Sequence, residues 1–84
     1  MDALDGNAIA GTLVEVFGTE MTTAVATCAC CDATRYVAEY AVYLRGPGVV
    51  VRCPHCDNLA MVLVEISGVT CVDAMGLSAL RMPA

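Results

Sequence analysis

A small α+β domain stapled by a metal, its N-terminal helix packed on an antiparallel sheet of four to five short strands, is the architecture that three features predict. Two C-x-x-C pairs lie within a short chain, an amphipathic segment opens it, and Val-, Thr- and Tyr-rich runs with period-two alternation fill the rest. The 84 residues are read as one domain: a helical segment over 1–21, a metal-bearing β region over 22–74 and a tail over 75–84.

The cysteine pairs carry the most information. They are Cys28-Ala29-Cys30-Cys31 and Cys53-Pro54-His55-Cys56, with 21 residues between Cys31 and Cys53. A C-x-x-C turn is tight enough to aim two sulfurs at one point, and two such turns close the four-cornered shell that a tetrahedral ion requires. Cys28, Cys31, Cys53 and Cys56 are therefore the expected ligands of one structural Zn2+. Six cysteines also allow a disulfide framework, with 15 possible connectivities. Against it stand the paired spacing, which strains a bond between near neighbours, and an acidic start without the basic flank of a secretory signal. With every corner taken by protein, the ion has no open position for water. No catalytic residue is assigned, and the chain is not expected to be an enzyme.

The surroundings of the turns refine this reading. The residue after a C-x-x-C turn often has positive φ. Asp32 and Asp57 hold those positions, and aspartate tolerates that region better than most residues. Pro54 stiffens the second turn. Arg35 and Arg52 either offset the anionic site or serve only solubility. Cys30 is either a free thiol or a substitute ligand, with an exposed bystander as the plain alternative. His55 is expected to point outward, and Cys71, in mid-strand, to be a small buried core residue.

Element by element, residues 6–17 read as a helix. Asp5 is the N-cap, Ile9, Leu13, Val16 and Phe17 form one apolar stripe for the core, and Gly18 is the stop. Residues 22–28 lead as a strand into the first cysteine turn. Residues 35–44 form the strongest strand, with Tyr36, Ala38, Tyr40, Val42 and Leu44 on one face. A turn over 45–48 returns the chain as a strand over 49–52 into the second cysteine turn, and this hairpin is expected to bring the two turns together. Strands over 59–66 and 69–73 flank a Ser67-Gly68 connection. The tail from Met75 reads as a short helical turn or a loose end.

Composition bounds the partners. Nine acids against four arginines, with no lysine, give a net charge of -5. Phosphate backbones are bound by clustered Lys and Arg, so nucleic acid is not expected as a partner. The longest apolar run, over 59–64, is far short of the ~20 residues that cross a bilayer, so no membrane span is expected. The expected location is the cytoplasm. An apolar fraction of 58% is more than so small a body can hide, which points to a protein partner or a homo-oligomer.

The pattern C-x2-C…C-P-x-C resembles the zinc-ribbon (rubredoxin-like) class of metal-binding folds over residues 22–66. That resemblance implies a zinc-ribbon β-sheet and a metal site of four cysteines. The run Leu4-Asp5-Gly6-Asn7-Ala8-Ile9-Ala10-Gly11, then Phe17-Gly18 and Arg52-Cys53-Pro54-His55-Cys56, is similar to a family of short bacterial zinc-ribbon-like proteins of unknown function. This second likeness spans nearly the whole chain. It implies no enzyme activity, and only the four cysteines carry over. Three functions follow as expectations. The first is a zinc-stabilised interaction or accessory module. The second is a rubredoxin-like electron carrier with Fe in the same shell, since thiolates accept either ion. The third is a thiol enzyme or redox sensor using Cys30, for which no base is in place.

Overall fold

In the computed structural model, which describes residues 4–45 and 48–82, the chain opens with a two-residue strand, β1 (Leu4–Asp5). The Asp5 carboxylate accepts the Asn7 N–H at 3.1 Å, and this cap starts a 3-10 turn over Gly6–Ile9. The α-helix proper, α1, runs only over Ala10–Phe17 and ends at Gly18, whose φ of 75° is the left-handed stop. The expected twelve-residue helix is thus a 3-10 turn followed by eight α-helical residues. Gly6 sits in that first turn. A Cβ there would collide with the backbone of Val37 and Ala38, so the opening turn packs directly on a second stretch of main chain. Ile9 and Leu13 are buried in the core, with Val16 and Phe17 partly buried against it.

Among the described residues eight strands form two antiparallel sheets, where four to five strands in one sheet were expected. The remaining strands are β2 (Val25–Cys28), β3 (Thr34–Tyr36), β4 (Ala41–Arg45), β5 (Gly48–Arg52), β6 (Leu59–Ile66), β7 (Val69–Asp73) and β8 (Leu77–Arg81). The larger sheet has the order β1-β4-β5-β6-β7, the smaller β3-β2-β8.

The division arises at Val37–Glu39. The single strand expected over 35–44 is broken there by a 3-10 turn. Glu39 accepts the Tyr36 N–H at 3.0 Å, while the Val37 and Ala38 N–H groups bond Ala24 and Thr22 at 2.9 and 3.1 Å. Val37 and Tyr40, three apart, are both buried, whereas Tyr36, assigned to the face of Tyr40 by strand alternation, is 55% exposed. Helical spacing replaces strand spacing for one turn, and the chain crosses from the small sheet to the large one. Part of the turn expected over 45–48 falls on residues 46–47, outside the described residues.

The tail is also revised. Residues 77–81 are neither helical nor loose but form β8, paired with β2 from Val25↔Arg81 to Cys28↔Leu77. Gly76 docks it: its N–H bonds Ala60 and its carbonyl accepts Ala29 N–H at 2.9 Å. A Cβ at Gly76 would strike the backbone of Leu59 and Ala60. Residues 83–84 lie outside the described residues. Cys71 is exposed instead of buried. It pairs with Val64 on the large sheet, on the face opposite Leu63, Met61 and the core.

The most fully buried side chains, Tyr40, Leu13, Met21, Leu63, Val42, Cys28 and Cys53, belong to one core that draws on both sheets and on α1. The Tyr40 hydroxyl donates to the Ala26 carbonyl on β2 at 3.1 Å, so a residue leading into the large sheet is tied to the small one.

Candidate metal centre

Each sheet contributes one cysteine turn. The first joins β2 to β3, whose ladder runs Val25↔Tyr36 to Thr27↔Thr34. The second joins β5 to β6. The hairpin expected to unite the turns, now β4–β5, carries only the second of them. The two turns instead meet across the junction of the sheets.

Their backbones follow the same plan. Cys28 N–H bonds the Ala33 carbonyl at 3.0 Å and Cys53 N–H the Asn58 carbonyl at 2.9 Å. Asp32 and Asp57 N–H groups return to the carbonyls of Cys28 and Cys53, each at 3.0 Å. The N–H groups of Cys30 and His55 donate to the sulfurs of Cys28 and Cys53, both at 3.4 Å. Such N–H···S contacts favour the thiolate form that a metal binds.

The four cysteines named from the sequence lie together. Their Sγ atoms are all within 4.8 Å of one another, with Cys28 3.6 Å from Cys56 and Cys31 3.7 Å from Cys53. Both contacts cross from one turn to the other. They are far longer than an S–S bond, and all six cysteines are free thiols. A tetrahedron of sulfurs about 2.3 Å from an ion has edges of about 3.8 Å, so the spacing fits a four-coordinate metal. Cys28 and Cys53 are buried, and Cys31 and Cys56 lie half-buried at the rim.

Charge makes the same point. Cys28 is drawn down to about 7, first by the Cys31 N–H, with burial opposing and the Cys30 N–H assisting. At Cys56 the Asn58 N–H favours the thiolate, but burial and the sulfurs of Cys31, Cys28 and Cys53 outweigh it, and the thiol is pushed up to about 12. Cys31 is raised as well: the Ala33 N–H is outweighed by burial together with Cys53 and Cys28. Protein alone therefore stabilises one thiolate in the cluster and resists the next. A dication held at the centre would reverse that repulsion.

The neighbours divide. Arg52 donates to the Asp57 carbonyl at 3.0 Å and clips the second turn. Arg35 faces Glu39 at 4.0 Å, with both side chains about half exposed, a solvent-screened pair beside the 3-10 turn. Cys30 and His55 are exposed, outside the sulfur cluster. A contribution not foreseen from sequence is β8, whose Leu77 pairs with Cys28 and whose docking residue Gly76 binds Ala29 inside the first turn. Weak strand propensity in Leu77-Ser78-Ala79-Leu80-Arg81 hid it.

Among the described residues no helix is long and apolar enough to cross a membrane. No curated protein and no solved structure matches the chain. A family model does, over residues 1–84, and the chain belongs to that family of unknown function, DUF6510.

Proposed function

We propose that this protein is a structural zinc protein, a non-enzymatic accessory module that works by contact with other protein chains. The observation that carries the reading is the closed set of four sulfurs held by two matching turns, one from each sheet. A metal there staples the two sheets at their junction, and its binding free energy becomes folding free energy. It leaves no position for a substrate or a reactive water. Exposed apolar side chains, among them Ile66, Val69 and Met75, support a protein partner. The net charge of -5 argues for protein over nucleic acid. Six free thiols suit a reducing compartment such as the cytoplasm.

A rubredoxin-like iron carrier is the second reading. It is favoured by Cys31 and Cys56 lying at the rim, where an electron-transfer partner reaches them. Elemental analysis of protein purified after iron-replete anaerobic expression separates the two. Colourless protein with one zinc per chain supports the structural reading. One iron per chain, with the colour of ferric thiolate, overturns it in favour of the carrier.

A further inference from the structure

We infer that the outer edge of β7 is a self-pairing surface, on which a second copy of this chain lays its own β7 antiparallel about a twofold axis at Cys71. The inference rests on the interaction reading above and names the occupant of one surface. It does not depend on which ion fills the sulfur site.

The turn between β6 and β7 decides which backbone groups are free. Ser67 and Gly68 have φ of 51° and 79°, the pattern of a two-residue type I′ turn. In such a hairpin the flanking pair, Ile66↔Val69, exchanges both backbone hydrogen bonds, and bonded pairs then recur at every second residue. Val69, Cys71 and Asp73 therefore turn their N–H and C=O groups toward β6, and Thr70 and Val72 turn theirs outward. Among the described residues β7 pairs with β6 alone and ends its sheet.

That edge carries few of the devices that keep strand edges apart, Asp73 at its end being its one charge. It holds no proline and no lysine, and its ladder with β6 has no bulge. Val69 is 62% exposed, and Ile66 beside it 59%.

The free groups are complementary to themselves. With a second β7 antiparallel, Thr70 of each copy meets Val72 of the other as a hydrogen-bonded pair, and the two large sheets become one. Cys71 then faces Cys71 of the second copy as a non-bonded pair with Cα atoms about 4.5 Å apart, within the range a disulfide spans. Charge does not oppose this register. Asp73 meets Val69 of the other copy, and the two Asp73 residues are separated by four strand positions, roughly 13 Å, beyond the screening length of about 8 Å in physiological salt.

Light scattering on the full metal-loaded chain over a concentration series tests the proposal, alongside limiting diamide, which takes up the two electrons and two protons released as two thiols become one disulfide. The expected results are a mass twice that of the 8.7 kDa chain and a covalent dimer whose cross-linked peptide joins Cys71 to Cys71. Cys71→Ser should abolish the cross-link and keep the dimer. Val72→Pro, which removes an outward N–H, should give a monomer with unchanged metal content. A monomer at every concentration, as expected if the edge instead takes a strand from a different protein, overturns the proposal. So does cross-linking through Cys30 instead of Cys71, or a folded Val72→Pro chain that remains dimeric. Zinc measured in the same samples keeps a failure of the metal reading distinct.

Discussion

Asp32 and Asp57 are equivalent residues. Each follows a C-x-x-C turn, each has positive φ (62° and 63°), and each returns its N–H to the first cysteine of its own turn at 3.0 Å. The aspartates allow the left-handed backbone that closes each turn around its sulfurs. A β-branched side chain at either site is disfavoured there, so Asp32→Val or Asp57→Val should lower stability by about 1–2 kcal/mol. Asp57→Gly should be neutral or slightly stabilising. Denaturant unfolding of the metal-loaded variants checks the order.

Two glycines offer a contrast of sign. Gly76→Ala drives a methyl group into the Leu59–Ala60 backbone, where β8 docks beside the first cysteine turn. A loss of about 1–3 kcal/mol is expected, as for other overpacked sites. Gly11, inside α1, has open space where its Cβ would be, so Gly11→Ala should add roughly 0.5–1 kcal/mol through helix propensity. Thermal melts of both variants should move in opposite directions.

Tyr40 links the sheets and reports on pH. Burial, followed by the charges of Cys53, Cys28, Cys31 and Cys56, raises its hydroxyl to about 12, against about 10 in an unfolded chain. The folded state holds this proton more tightly. The stability it contributes is therefore complete below pH about 10 and lost as pH rises toward 12. The phenolate absorbance of Tyr40 should appear together with loss of the fold. Tyr40→Phe should remove that coincidence and cost about 1 kcal/mol at neutral pH through the bond to Ala26.

Metal removal should act on the whole chain. Cys28→Ser or Cys53→Ser takes away a buried sulfur from the junction of the sheets, and chelation takes away the ion. Both should broaden the amide spectrum and lower the melting temperature by more than any substitution above. Cys30→Ser and His55→Ala, both outside the cluster, should leave metal content and stability within about 0.5 kcal/mol of the parent.

What could be read from the sequence was local. The cysteine spacing, the aspartates after each turn and the Ser67-Gly68 hairpin are short-range features with their own backbone signatures, and each has its counterpart in the structure. The break at Val37–Glu39 was hidden because Tyr36, Ala38, Tyr40 and Val42 alternate as well as any strand. It depends on bonds to Thr22 and Ala24, more than ten residues away. Strand β8 is hidden for the same reason, since its ladder to β2 spans about fifty residues and its own composition argues for no particular structure. Cys71 is exposed although its mid-strand place suggests the core, because that place says nothing about which face of a sheet is covered.

In the proposed reading, one zinc ion is held by the sulfurs of Cys28, Cys31, Cys53 and Cys56 and by nothing else. Zinc-edge X-ray absorption on the natively purified chain tests it most directly. The expected spectrum fits four sulfur scatterers at about 2.3 Å with no lighter atom in the shell. A shell containing nitrogen or oxygen, or a folded native chain that carries no zinc, would contradict it.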